Sequence, residues 1–119
     1  MKETMEPLYA RSGDVYAWLD PQNGRIIGLG GKHIAYIAGD SVYNWAGRHI
    51  GWWHKDHMRD HEGKVVVFDR KARGLGPVLP GLGAMPPRPV ISPVPAKPTR
   101  GTRPGPVPPS KSWTLNMPF

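Results

Sequence analysis

The chain has 119 residues, 15 glycines, 15 prolines, no cysteine and a formal net charge of +7. This length leaves room for one domain at most, and the missing cysteine excludes disulfides, thiolate catalysis and Cys-ligated zinc. The opening MKETMEPLYAR has no apolar signal-peptide core, and no run approaches the roughly 20 apolar residues of a membrane span. We therefore expect a cytoplasmic protein, and export without a cleaved signal would leave the same pattern.

Composition divides the chain just after Asp69. Only Pro7 and Pro21 precede residue 70, and the other thirteen prolines follow it. Residues 1–69 carry eight Lys and Arg against nine Asp and Glu, whereas residues 70–119 carry eight Lys and Arg and no acid. The basic charge therefore belongs to the second part, and a basic nucleic-acid surface on the first part is excluded.

The first part is an internal four-fold repeat. Residues 24–39, 40–55 and 56–71 align without a gap as GRIIGLGGKHIAYIAG, DSVYNWAGRHIGWWHK and DHMRDHEGKVVVFDRK. An earlier copy fits when its period is two residues longer. One glycine then recurs in all four copies, at Gly13, Gly31, Gly47 and Gly63. A repeat of this kind is one structural unit used several times.

Each unit predicts a β-hairpin. Its apolar runs are four to six residues long and rich in β-branched and aromatic residues, and Gly, Asp or Asn bound them. The recurring glycine indicates a positive φ at the turn. We therefore expect an all-β fold over residues 7–69, in which four pseudo-symmetric hairpins with about eight short antiparallel strands close around a central axis.

Alternation along the second strand of each hairpin assigns side chains to faces. Two columns lie two residues apart and are expected to share one face: Tyr16, Ile34, Ile50 and Val66, and Trp18, Tyr36, Trp52 and Phe68. The column between them is small in most copies and is expected to face the crowded axis: Ala17, Ala35, Gly51 and Val67.

The pattern resembles the four-fold β-flower domain, a family of small bacterial proteins in which hairpins surround a central axis. The resemblance covers Leu8 to about Phe68, and VYNWAGRHIGWW and RDHEGKVVVF are its most specific segments. A basic, Pro-rich tail that ends near a tryptophan, here SKSWTLNMPF, is also similar to members of that family. The resemblance implies the fold and no particular activity.

Three aromatic residues exceed what the repeat requires: Tyr43, Trp45 and Trp53. Trp45 aligns with Arg11 and His61, and Trp53 aligns with Asp69, so these columns tolerate charge and should face solvent in part. Exposed aromatics can form a binding patch. Two interpretations stay open, a binding surface and packing at the rim of the domain.

The histidines do not form a predicted metal site. His57 and His61, if on one strand, stand about 13 Å apart, and together with His54 they fit a solvated turn better. His33 and His49 share a column with Val15 and Val65, which favours packing. No catalytic motif is present, so we expect no enzyme, no cofactor and no metal.

Residues 70–112 predict a basic, disordered Pro/Gly-rich linker with polyproline character. Arg103 has the spacing to following prolines that polyproline ligands use, although such spacings arise readily at this proline density. Residues 113–119 differ because apolar side chains alternate there: Trp113, Leu115, Met117 and Phe119. This segment could add a strand to its own domain or to a partner, or act as a docking peptide.

Together these features predict a non-enzymatic binding or adaptor module that engages a protein or an anionic surface. The alternative is electrostatic binding of the tail to nucleic acid or anionic phospholipid, with the domain as an anchor. The sequence leaves the partner and the oligomeric state open.

Overall fold

The computed structural model describes residues 5–119, and this part of the chain forms an eight-stranded closed barrel. Each strand pairs antiparallel with the next, and β1 pairs with β8 to close the ring. The strands are β1 (Glu6–Tyr9), β2 (Val15–Asp20), β3 (Arg25–Gly28), β4 (His33–Ala38), β5 (Ser41–Asn44), β6 (His49–Trp53), β7 (His57–Arg59) and β8 (Val65–Phe68). The all-β class and the predicted strand number are confirmed.

The four hairpins share one register, which places the same pair of residues inside the barrel in each. The pairs are Leu8 with Ala17, Ile26 with Ala35, Val42 with Gly51, and Met58 with Val67. The apolar members of these pairs belong to one core cluster. The small column therefore does face the axis, where strands from all four hairpins meet.

Every hairpin contains a β-bulge, and because of it the two columns that were predicted to share one face lie on opposite faces. Leu8 pairs with Ala17, but the next residue, Tyr9, pairs with Val15, so that Tyr16 is the extra residue. The other hairpins repeat this shift. Because a bulge breaks strict alternation, one column turns inward, onto the core cluster: Tyr16, Ile34, Ile50 and Val66.

The column of large rings lies outside the barrel and is nevertheless buried. Trp18 packs with Met5 and Ile27, in a cluster separate from the barrel interior. Residues of the Pro-rich part cover this column: the Arg88 guanidinium lies 5.2 Å from the Trp18 ring centre, and the Lys97 ammonium lies 4.8 Å from the Tyr36 ring centre. These rings form a second apolar layer between the barrel and the rest of the chain.

Residues 70–119 form a belt around the barrel. At intervals of nine residues, a belt N–H donates to the carbonyl of the recurring glycine in successive hairpins. The four bonds run from Gly83 to Gly13 (2.7 Å), Ser92 to Gly31 (2.9 Å), Gly101 to Gly47 (2.7 Å) and Ser110 to Gly63 (2.9 Å). The belt therefore has its own four-fold repeat, matched to that of the barrel.

The structure does not show the disordered tail that composition predicted, and the expectation for residues 70–112 is corrected. A proline already has its φ fixed, so a Pro-rich segment loses less conformational entropy on docking than an ordinary loop. The regularly spaced glycine carbonyls give the extended belt hydrogen-bond partners that its own backbone cannot supply.

The recurring turn glycine has two reasons to be glycine. Its φ is positive in each hairpin, at 89° for Gly13, 94° for Gly31, 85° for Gly47 and 78° for Gly63, as the sequence predicted. In addition, a Cβ at any of these positions would collide with a belt carbonyl oxygen, for example that of Val90 at Gly31. The turn and the belt therefore require the same residue type.

The end of the belt docks on its own domain. The Val65 N–H donates to the Ser112 carbonyl (3.1 Å), and the Thr114 N–H donates to the Val65 carbonyl (2.9 Å), which makes a parallel bridge to β8. Farther on, Met117 and Phe119 pack against the core cluster. Residues 113–119 therefore dock on their own domain, through a single isolated bridge at Trp113 and not as an added strand.

Candidate functional site

The two ends of the barrel differ, because strand connections alternate between them. The hairpin-turn end carries the recurring glycines, and Phe119 stacks there on Tyr16 with ring centres 5.7 Å apart. The return-turn end carries the turns that join one hairpin to the next, and it opens into a cavity of about 710 Å³. We call this cavity the axial mouth.

One repeat column supplies a side chain from each hairpin to the axial mouth: Leu19, Ile37, Trp53 and Asp69. The equivalence is visible in the backbone. The N–H groups of Ile37, Trp53 and Asp69 each donate to the carbonyl of the preceding return turn, at 2.6, 2.8 and 2.8 Å. Asp69 therefore occupies a position that is apolar in the other three hairpins.

Asp69 is 8% exposed, so it is buried where the sequence predicted partial solvent contact. Its Oδ1 accepts the N–H of Lys71 at 2.8 Å. Burial raises the pKa of Asp69, and the nearby Asp56 raises it further. The backbone N–H groups of Lys71 and Ala72 and the charge of Lys71 act in the opposite direction. The axial mouth thus contains a carboxyl group whose ionised form is disfavoured.

Lys55 lies at the rim of the axial mouth in a strained conformation. Among residues 5–119 it is the single non-glycine residue with a positive φ, at 63°. The corresponding residue of the preceding unit is Gly39, with φ 65°. A lysine at this position costs conformational energy that glycine would avoid. The lysine nevertheless places an ammonium group at the rim.

The structure does not bring the three predicted aromatics together. Tyr43 is 5% exposed and lies under the Arg100 guanidinium. Trp45 packs on Tyr36 with ring centres 5.1 Å apart, and Trp53 lines the axial mouth. They do not form one patch, and their roles in binding stay predictions.

The predicted belt residues also have defined places. Arg103 pairs with Asp40, with Nη2 2.7 Å from Oδ1. Trp113 packs on Phe68 and is half-buried, as is Phe119. Leu115 is 73% exposed, and its role in binding stays a prediction.

Four of the five histidines form two pairs, in which His54 and His61 are exposed and their partners are buried. His49 Nδ1 lies 2.9 Å from His61 Nε2, and burial lowers the pKa of His49, followed by the effects of His61 and Arg103, while Asp40 raises it. His57 is buried, bonds to Asp56 at 2.6 Å and stacks on His54. The expectation of solvated side chains is therefore wrong for His57.

Arg59 is a buried cation that the sequence analysis did not single out. It is buried, and it donates to the carbonyls of Gly63 (2.7 Å), Ser110 (2.8 Å) and Leu75 (2.6 Å). Burial lowers the pKa of Arg59. The sequence did contain a signal for Arg59, because this residue breaks the repeat. At the same position, just beyond the bulge, the other hairpins have Tyr9, Ile27 and Tyr43.

Residues 5–119 contain neither a clustered metal site nor a membrane-spanning helix. No three side chains of His, Cys, Asp or Glu are grouped as a metal site. No helix with the length and apolar character of a membrane span occurs in this range.

The belt forms a second candidate site because its charge has one sign. All eight of its cationic side chains are exposed, and it contains no acid. They are Arg70, Lys71, Arg73, Arg88, Lys97, Arg100, Arg103 and Lys111.

Comparison with known proteins supports one family. Searches of curated proteins and of solved structures found no match. The family model described as 4-fold beta flower protein matches residues 6–118, a range that includes the barrel and nearly all of the belt. The chain therefore belongs to the 4-fold beta flower family.

Proposed function

We propose that the protein is a non-enzymatic binding module that engages an anionic surface through its belt. The observation that carries the proposal is the exposure of all eight belt cations in a segment without a single acid. A surface with one sign of charge raises the local concentration of oppositely charged partners and speeds their association.

Contacts with the barrel hold several of the belt cations in place. Arg88 and Lys97 lie on buried rings, and Arg103 is tied to Asp40. The belt backbone is fastened at every hairpin by the bonds to the turn glycines. Binding a charged surface therefore does not require a flexible tail to become ordered, which lowers the entropic cost of association.

The apolar side chains of the belt favour a lipid surface over nucleic acid. Val78 and Val90 are each 91% exposed, and Leu115 is 73% exposed. The belt aromatics Trp113 and Phe119 are half-buried against the barrel and offer no free rings on which bases could stack. Cations combined with exposed apolar residues suit an anionic lipid headgroup layer.

The test is co-sedimentation with phosphatidylcholine vesicles that contain or lack phosphatidylserine, at low and physiological salt. The variant replaces Arg70, Arg73 and Lys111 by Gln. Its matched control replaces Lys32, Arg48 and Lys64 by Gln, which removes the same charge from the barrel. At roughly 1 kcal/mol per cation, the belt variant should bind on the order of a hundredfold more weakly.

The outcomes separate the proposal from its alternatives. Equal losses in both variants, or equal binding to vesicles without phosphatidylserine, would contradict it. Stronger binding to DNA than to vesicles would favour a nucleic-acid partner instead. Residues 70–119 fused to an unrelated protein test the tail alone: full retention of binding would mean that the barrel does not organise the site.

A further inference from the structure

The axial mouth is a cavity that the belt proposal does not use. Its volume of about 710 Å³ lies within the range of small-molecule sites. Leu19, Ile37 and Trp53 give it an apolar wall that continues the core cluster of the barrel. An aromatic and two aliphatic side chains can receive the apolar body of a ligand.

The charge of Asp69 has no ion-pair partner among residues 5–119, and the Lys71 ammonium favours it only from a distance. The Asp69 side chain accepts the Lys71 N–H, a bond that the amide oxygen of asparagine would also accept. A buried carboxylate without a counter-charge costs free energy, and the other three hairpins avoid this cost with an apolar residue.

The other charges of the axial mouth define the sign and number of charges on a ligand. Glu6 and Asp56 join Asp69 in lining it, against Lys55 and Lys71, so carboxylates outnumber ammonium groups. Lys55 and Lys71 are exposed, which places them at the rim and leaves the buried position to Asp69. A cation is attracted to the buried Asp69. At the rim, the half-buried Glu6 and Asp56 balance the two lysines, so the rim offers no net charge to a second cation on the same ligand.

We propose that the axial mouth binds a small organic monocation, with its ammonium group at Asp69 and its apolar body against Leu19, Ile37 and Trp53. The ligand supplies a close counter-charge, which the described residues lack because the Lys71 ammonium acts on Asp69 only from a distance. The Trp53 ring adds an electrostatic attraction for a cation. This site shares Lys71 with the belt, but none of the three belt cations replaced in the vesicle test lines it.

The experiment uses the full chain and three ligands of one length: hexylammonium, hexanol and hexanoate. Binding is followed by calorimetry and by tryptophan fluorescence, up to about 20 mM ligand. Asp69→Asn removes the charge and keeps the acceptor oxygen. Its matched control is Asp40→Asn, which removes a carboxylate at the same end of the barrel and outside the cavity lining.

Hexylammonium is expected to bind at least about tenfold more tightly than hexanol or hexanoate, the difference of one charge-assisted contact. Asp69→Asn should remove that preference, and Asp40→Asn should preserve it. The diammonium ligand 1,6-diaminohexane should bind no more tightly than hexylammonium, because the interior offers one carboxylate. Equal binding of hexanol, an unchanged preference in Asp69→Asn, or no binding of hexylammonium would overturn the proposal.

Discussion

At a few single positions, one copy of the repeat carries a different type of residue from the other copies. Asp69 replaces an apolar residue at the axial mouth, and Arg59 replaces an apolar or aromatic one beside the belt. Lys55 occupies a backbone conformation in which Gly39 serves the preceding unit. A four-fold repeat makes such exceptions readable, because three copies show what packing alone requires.

The Asp69→Asn variant should be more stable than the natural protein at neutral pH. Burial raises the pKa of Asp69 in the folded protein. The stability that protonated Asp69 contributes is therefore complete below the unfolded pKa of 3.8 and is lost as pH rises through the folded pKa. Asn keeps the bond from Lys71 without the charge. We expect a melting temperature a few degrees higher at pH 7, with the difference shrinking toward pH 4. A lower melting temperature at pH 7 would contradict this account.

Acid should destabilise the protein through His49. Its folded pKa lies below 6.5 because of burial, then His61 and Arg103. The neutral ring therefore contributes stability that is present above pH 6.5 and is lost as pH falls toward the folded pKa. The His49→Val variant introduces the residue that the same column has at Val15 and Val65. Its melting temperature should fall less between pH 7.5 and 5.5 than that of the natural protein. Parallel pH profiles for the two proteins would rule out this role.

At the scale of the element, the β-hairpin was predictable and the β-bulge was not. Four aligned copies identify the strands and their turn glycine, since each copy repeats the same evidence. The bulge residues, Tyr16, Ile34, Ile50 and Val66, are ordinary strand formers, and nothing in their chemistry marks an extra residue. Strict alternation therefore placed that column on the wrong face.

The belt was missed for a related reason. Many prolines and one sign of charge are the composition of a disordered segment, and composition does not reveal that a folded surface offers regular acceptors. One signal was present. Small residues recur every nine positions, at Gly83, Ser92, Gly101 and Ser110, and these are the residues that donate to the turn glycines.

Three alanine substitutions separate the two demands on a turn glycine. Gly31 has a positive φ and a belt carbonyl where its Cβ would be, Gly39 has a positive φ with open space, and Gly30 has neither. Gly30→Ala should be nearly neutral, and Gly39→Ala should cost about 1 kcal/mol. Gly31→Ala should cost clearly more, measured by urea unfolding. Equal losses for Gly31→Ala and Gly39→Ala would mean that belt contact contributes nothing.

At the scale of the whole molecule, barrel and belt form one structure with two apolar layers. The inner layer is the core cluster around the axis. The outer layer is the column of rings that the belt covers, with Trp18 and Tyr36 fully buried beneath it. A barrel of about 60 residues buries limited apolar surface by itself, so the belt completes the fold as well as carrying the charge.

Amide hydrogen exchange should show that the belt and the barrel open together. The N–H groups of Gly83, Ser92, Gly101 and Ser110 donate to the turn glycines, so releasing any of them uncovers part of the ring column. We expect these amides to be protected to a degree comparable with the strand amides, because exchange requires an opening that exposes apolar surface.

Neighbouring belt amides without such bonds, at Ala84 and Thr102, serve as internal controls and should exchange faster. If all belt amides exchanged at the rate of an unstructured peptide while the strands stayed protected, the belt would be a separate, mobile segment and contacts with the barrel would not hold its cations in place.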